Sequence, residues 1–414
     1  MPQPPQHDRH LVGWMSLTQL ISWGSVFYLF ALLMAPVEQA LGMNRAESSL
    51  AFSLAMLVEG LMAYPVGRWI DRGHERAVMT LGSVGLGVCL LLLSRVETST
   101  MFYAVWMVMG AAMAGTLYAP AFAVVTRRFP NDFRRAIITL TFLGGLASTV
   151  FIPLISWLIT LLGWRHALWC LAALHLLVCV PLHAVLLQGA PKRPVRSLQP
   201  DCASSHKSES SPLAKHLLSA PFLLIGVFVV LMMAVTAALP AHMVSLLREN
   251  GLGETWAIAI PASIGAIQVL GRLLLYYFEH HFDLHRANRL IPCLIPLGLA
   301  ALLVAPWVGS AQIYMLMLFV LFFGMGNGML TIVKGTAIAE YVNRDHVASL
   351  NGALGTPMAL ARAGAPLALG LLWNQQVGYA HGLWLMLGLS VVAITALVMA
   401  QRLSGKNRRS QPRV

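Results

Sequence analysis

The sequence predicts an all-α membrane protein with twelve transmembrane helices in two pseudo-symmetric six-helix bundles, and three observations predict it. Only 11% of the 414 residues are charged while 57% are hydrophobic, whereas an ordinary soluble domain is about 25% charged. The apolar residues gather into repeated runs of about 20 or more, the length of helix that crosses a ~30 Å hydrocarbon core. A single long polar stretch, residues 189–216, reads "GAPKRPVRSLQPDCASSHKSESSPLAKH" and separates six runs from six. Its Pro, Ser and basic residues mark a linker.

The runs fall at 11–36, 46–66, 77–95, 99–126, 136–160, 165–188, 217–245, 254–275, 289–307, 311–338, 346–373 and 380–402. They are continuously apolar, which suits helices; barrel strands are about ten residues long and alternate in polarity. The polar tail "MPQPPQHDRH" leads into a first span too long for a signal-peptide core, so no cleaved signal is expected. The expected domains are a bundle over 1–188, a cytoplasmic linker over 189–216 and a second bundle over 217–414.

Orientation follows from the basic residues. With the N-terminus cytoplasmic, 22 of the 28 Lys and Arg fall on the cytoplasmic side, four (Arg45, Arg95, Arg165, Arg248) fall outside, and Lys334 and Arg362 lie within spans. The positive-inside rule selects that topology: a multi-pass protein of the cell (inner) membrane with both termini cytoplasmic. The net charge of +12 is thereby explained without nucleic acid as a partner. The five Cys show no metal-ligand spacing; four lie in spans and Cys202 in the linker, so reduced thiols are expected, with no metal and no cofactor.

The halves echo each other. Gly67-Arg68 follows the second span of the first half, and Gly271-Arg272 follows the second span of the other half, 204 residues on. Around the first copy stands "GRWIDRGHER", five charges in ten residues between two apolar runs. This stretch resembles the loop between helices two and three of the major facilitator superfamily, Gly-x-x-x-Asp-Arg-x-Gly-x-Arg. Gly67, Asp71, Arg72 and Arg76 fit, while the second glycine comes one residue early, at Gly73. Span count, linker and loop together extend the resemblance over nearly the whole chain.

The resemblance implies a secondary transporter working by alternating access, with a gating latch at this loop. Gly67 would let helix two approach helix eleven, as small residues do in membranes. Asp71 would face the start of that helix near Val347, or Arg127 and Arg128 of "TRRF", gaining from the dipole and from charge pairing. The second copy has Leu275 where the first has Asp71, so the latch is expected to be asymmetric.

A substrate site is expected at the midplane between the halves, where polar residues are costly unless they function. Asn327, Thr331 and Lys334 share one helical face at i, i+4, i+7. Arg362 lies about 16 residues into the eleventh span, roughly 24 Å at 1.5 Å per residue, with Asn351 on the same face. Two cations without an acid in the same spans favour an anionic ligand, because an unpaired buried charge is costly. Alternatives stand beside this: Arg362 caps carbonyls or pairs with Glu59, and Lys334 reaches cytoplasmic water. In the first half Gln19, Ser22 and Trp23 share a face, and Tyr118 carries a hydroxyl at membrane depth. Trp23 is a cavity wall or an ordinary packing residue.

Glu59, the single acid well inside a span, and His242, near the outer end of the seventh, are candidate proton carriers; Glu59 equally suits a structural pair. His175 and His183 read as packing residues. The Gly-Pro-x-x-Gly-Gly element of drug-proton antiporters is absent from span five, "TFLGGLASTVFIPLISWLI", and the pattern looks nearest to bacterial monocarboxylate and organic-anion carriers. The expected function is transport of a small, anionic, monocarboxylate-like solute, with protons as a candidate coupling ion, by a monomer in the lipid bilayer. The alternatives are a proton-driven efflux pump for amphipathic compounds and a non-transporting, transporter-like receptor. No nucleophile, nucleotide or metal motif points to an enzyme.

Overall fold

A computed structural model describes residues 6–129, 133–189, 217–278, 284–342 and 347–410. Within them the chain is helical apart from its turns and one isolated bridge between Asn374 and Gly378. Ten segments are long and apolar enough to cross a membrane, and one of these, Thr139–Leu186, is 48 residues long and contains a non-helical break at Gly163. Dividing it there and adding the helix Val347–Leu371 gives twelve.

We number them α1 to α12. α1 is built from Gln6–Ser22, a π-helical turn Trp23–Phe27 and Leu29–Leu41. α2 is Arg45–Asp71 and α3 is Glu75–Leu93. α4 joins Ser99–Ala114 to Tyr118–Arg128. α5 comprises Phe133–Gly145 and the part of Ala147–Leu174 before Gly163; α6 continues beyond it through a second π-helical turn, His175–Cys179, to Val180–Leu186. The second half follows with α7 Ala220–Glu249, α8 Glu254–Phe278, α9 Leu284–Val304, α10 Gln312–Tyr341, α11 Val347–Leu371 and α12 Ala380–Ser410. The polar stretch read as a linker lies outside the described residues from 190 to 216.

Local sequence sets the helix ends. Asn44 starts α2 with a capping box: its Oδ1 accepts the Glu47 amide at 2.9 Å, and Glu47 accepts the Asn44 amide at 2.8 Å. At the other end of α2 the chain turns at Gly73, φ +91°, with the Gly73 amide on the Ile70 carbonyl and the His74 amide on the Trp69 carbonyl. That is a Schellman ending, which asks for glycine in the left-handed position. The early glycine of the "DRGHER" loop is therefore the residue this helix end requires.

Each half has its own core. Phe30, Phe52, Phe102 and Trp106 cluster in the first bundle, and Phe228, Phe319 and Phe323 in the second. Inside each bundle one glycine permits a backbone contact that no other residue allows. A Cβ on Gly110 of α4 would collide with the Ala55 carbonyl of α2, and a Cβ on Gly328 of α10 with the Gln268 carbonyl of α8. The fourth helix lies against the second in both halves by the same device, the small-residue packing of membranes.

The bundles meet along three seams, α2 with α11, α5 with α8 and α1 with α7. Hydrogen bonds cross the first two: the Leu367 amide donates to Ser53 Oγ at 3.1 Å, and Thr149 Oγ1 donates to the Ala262 carbonyl at 2.6 Å. Ser245 Oγ lies 3.7 Å from Met34 Sδ across the third. Gly110→Val is expected to destabilise the protein by about 1–3 kcal/mol or more, since backbone rather than a movable side chain stands in the way. Thermal melting followed by size-exclusion chromatography checks this; an unchanged melting temperature would show that the α2–α4 contact is not required.

Candidate functional site

The π-turn of α1 is where the site begins. Its i to i+5 bond, from the Tyr28 amide to the Trp23 carbonyl at 3.2 Å, widens the helix, and such turns gather at functional sites. Two contacts hold it. Gly24 lies so close to the Phe151 ring of α5 that a Cβ would overlap it. Ser25 donates to the Ile21 carbonyl at 2.6 Å, so His175 in the π-turn of α6 donates its Nε2–H to Ser25 at 2.7 Å. His183 likewise donates to Thr18 Oγ1 at 3.1 Å and accepts from Ser83 at 2.9 Å. These two histidines are therefore hydrogen-bonded ties from α6 to α1 and α3, beyond the packing role their sequence context suggests.

Trp23, Phe27 and Tyr28 of this turn line a cavity of about 310 Å³ between the bundles. Tyr118 of α4 extends the same wall, its ring 4.8 Å from that of Trp23. Gly144 makes room for the Tyr118 hydroxyl, which a Cβ there would strike. The second bundle supplies Gln268 and Arg272 from α8, Asn327, Thr331 and Lys334 from α10, and Arg362 from α11. The polar face read on the tenth span thus does line one cavity with Trp23, Tyr118 and Arg362. Gln19 does not line it: it is buried, and its Nε2 donates to the Thr116 carbonyl at 2.7 Å. The side chain of Asn351 lies outside the described residues.

The cations of the cavity differ in their partners. Arg362 forms an ion pair with Glu59 of α2, across the seam between bundles. Arg272 donates Nε to the Gly328 carbonyl at 3.2 Å and a terminal nitrogen to the Thr141 carbonyl at 2.8 Å. Lys334 has no hydrogen-bond or ion-pair partner among the described residues. The lining contains no Asp or Glu among the described residues. Arg272 is the residue sequence reading missed as a site candidate; its echo of Arg68 places it at a helix end, whereas its guanidinium turns into the cavity.

Away from the chain termini, a second cluster closes the bundles. Arg45 of α2 lies 2.9 Å from Glu38 and 3.3 Å from Glu249 of α7, donates to the Tyr379 hydroxyl, and stands 5.1 Å above the Trp373 ring. Trp373 Nε1 donates to Glu249 at 2.8 Å. Burial pushes the Tyr379 phenol above its ordinary value, against the pull of Arg45, so it remains a hydroxyl. It donates to His242 Nδ1 at 3.0 Å, and His242 Nε2–H donates to the Pro366 carbonyl at 2.9 Å. His242 is fully buried and neutral in this arrangement, with Ser49 of α2 3.4 Å away.

The sequence model of the Major Facilitator Superfamily matches residues 15–291, more than half of the chain. The chain belongs to that superfamily. No curated protein matches it in sequence. Solved superfamily-type structures similar to it include the nucleoside transporter NupG, 15% identical with a TM-score of 0.72 over 95% of this chain and 99% of that one. A bacterial homologue of the human lysosomal transporter Spinster, inward-facing and unoccupied, is 16% identical with a TM-score of 0.70 over 98% and 99%. A bacterial homologue of human drug peptide transporters is 15% identical with a TM-score of 0.75 over 97% and 99%. These identities establish a shared fold.

The superfamily loop follows α2 at the terminus-bearing end. A Cβ on Gly67 or on Gly355 of α11 would meet nothing within 4 Å, whereas Gly60 and Ala359, further from that end, touch across the seam. Tyr64 is 72% exposed, with Arg68 5.8 Å over its ring. Arg72 and Arg76 are exposed. Arg128 pairs with buried Glu75 at 2.5 Å, inside its own bundle, and also donates to the carbonyls of Leu186 and Gln188 at 3.3 Å. Arg127 lies against the turn, 3.9 Å from where a Cβ on Gly73 would stand. The side chains of Asp71 and Val347 lie outside the described residues.

The far-end cluster is expected to govern opening at that end. Arg45→Gln removes charged hydrogen bonds worth on the order of 1.5–3 kcal/mol, enough to shift a two-state balance about tenfold. Faster hydrogen–deuterium exchange at the start of α2 and around Tyr379, without change near Gly67, is the expected readout; unaltered exchange at both ends would deny the cluster a gating role.

Proposed function

We propose that the chain is an alternating-access carrier for a small organic anion of the monocarboxylate kind. The observation that carries this reading is the cavity lining: three cations from the second bundle, no carboxylate among the described residues, and Lys334 without a partner. A desolvated cation with no counter-ion is costly, and an anionic ligand removes that cost. The polar groups around it, Asn327, Thr331, Gln268 and Tyr118, supply donors to orient a carboxylate. Drug efflux and a receptor role gain no comparable support from the lining.

With the terminus-bearing side cytoplasmic, as the basic residues favour, the conformation is open inward and sealed outward by Arg45 and Glu249. The ligand favours whichever state it binds more tightly. A proton enters the cycle at Glu59: while ionised it holds Arg362, and once protonated it releases the guanidinium to the anion. His242, hydrogen-bonded through both nitrogens in the outer cluster, serves the gate in this scheme. The Gly67, Asp71, Arg72 and Arg76 loop, with Arg127 beside it, engages α11 when the inner side closes; Arg128 supports it by fixing α4 to α3 through Glu75.

Two sets of variants test the assignments. Lys334→Gln is expected to weaken anion binding at least tenfold while leaving the melting temperature equal or higher, because a half-buried charge without a partner among the described residues disappears. Retained affinity for every transported anion would remove Lys334 from the site. Arg362→Met strands Glu59 and is expected to cost about 3–5 kcal/mol of stability, whereas adding Glu59→Gln restores most of it. Proteoliposome uptake with and without a pH gradient then tests coupling: the gradient accelerates wild-type uptake, and Glu59→Gln makes uptake indifferent to it. Equal gradient response in wild type and Glu59→Gln would dismiss Glu59 as the carrier.

A further inference from the structure

We propose that the anion taken by this cavity is an aromatic carboxylate, a single aryl ring bearing one acid group; the proposal rests on the anion-carrier reading above. The cavity walls differ in character. Trp23, Phe27, Tyr28 and Tyr118 come from the first bundle, while the second supplies Arg272, Lys334 and Arg362 and one ring, Phe323, which is itself fully buried. A ligand matching both walls presents a flat apolar face on one side and a negative group on the other.

The ring wall is arranged for stacking. The Trp23 and Tyr118 centroids are 4.8 Å apart with planes inclined at 40°, and Tyr118 is itself backed by Phe122, stacked at 5.2 Å and 15°. Trp23 and Tyr118 are partly buried rather than sealed in the core, so ring surface remains for a ligand. Trp23 also holds a buried Nε1–H with no hydrogen-bond partner among the described residues, a donor left over at the wall. The π-turn that sets the Trp23 and Phe27 rings in place is fastened from two sides, by Phe151 against Gly24 and by His175 on Ser25.

Size and charge narrow the class further. At about 310 Å³ the cavity stands at the lower end of the ~300–1,000 Å³ range of ligand pockets, which suits one ring with a short acid arm. A small hydrophilic anion leaves the aromatic wall without a partner. An aryl amine meets cations on the opposite wall. An aliphatic acid satisfies the cations but forgoes the ring-on-ring geometry that aromatic pairs add beyond area burial.

Calorimetric titration of the purified full-length protein with benzoate, cyclohexanecarboxylate and benzamide tests this on the wild type. Benzoate is expected to bind about three- to tenfold more tightly than cyclohexanecarboxylate, the increment an aromatic pair contributes, and at least tenfold more tightly than benzamide. Trp23→Leu is expected to bring the two acids to similar affinity with cyclohexanecarboxylate binding retained, and Tyr118→Leu gives a second route to the same result if Trp23→Leu lowers the melting temperature. Equal affinity of the two acids in the wild type overturns the aromatic proposal and leaves the anion reading intact. Benzamide binding as tightly as benzoate overturns the anion reading itself. Absence of benzoate binding overturns the aromatic proposal.

Discussion

A guanidinium or ammonium held within hydrocarbon has to reach a counter-ion, a carbonyl or an open cavity, and the seam between the bundles is where this chain provides all three. Arg362 has found Glu59, Arg272 has found the carbonyls of Thr141 and Gly328, and Lys334 has the cavity. None of the three could point to lipid without a large penalty. Their placement therefore fixes which faces of α8, α10 and α11 turn inward, and with them the position of the second bundle against the first. Arg272 in particular reaches Thr141 on α5, so a residue of one bundle terminates hydrogen bonds of the other.

Fold class was legible because hydrophobic length is a one-dimensional signal, and the spans, the polar divider and the loop survive reading without coordinates. The cavity face of the tenth span was legible for a similar reason: Asn327, Thr331 and Lys334 keep helical spacing and are conspicuous among apolar neighbours. Arg272 was not, because an arginine near the end of an apolar run looks like any snorkelling residue. The π-turns were invisible as well. A single inserted residue in α1 leaves composition untouched while it changes which side chains share a face, so Trp23 belongs to the cavity and Gln19 to the interior. His175 and His183 carried no pattern distinguishing a hydrogen-bonded tie from a packing residue. Arg45 was counted only as an outside charge, since its partners Glu249 and Tyr379 lie more than 200 residues away.

The two ends of the molecule differ in what stands between the bundles. At the end away from the termini the closure is ionic and aromatic, with Arg45 serving two carboxylates, a phenol and an indole at once. At the other end stand two glycines, Gly67 and Gly355, where an added Cβ would meet nothing within 4 Å. An ionic closure is directional and sensitive to a single charge, whereas a small-residue closure is short-ranged and sensitive to volume. The pseudo-symmetry seen in the Gly110 and Gly328 contacts thus belongs to the inside of each bundle and does not extend to the two ends.

The π-turn at Trp23–Phe27 has a consequence for how this site changes over generations. A π-turn contains one more residue than the α-turn it replaces, so losing a single residue there restores an ordinary helix and rotates everything before it by about 100° relative to everything after it. The half of α1 beyond Tyr28 stays seated in its core around Phe30, while Gln19 and its neighbours swing to a new face. The first helix is in this sense two modules joined by a one-residue spacer, and insertion or deletion within it can exchange one set of wall residues for another without disturbing the scaffold that holds them.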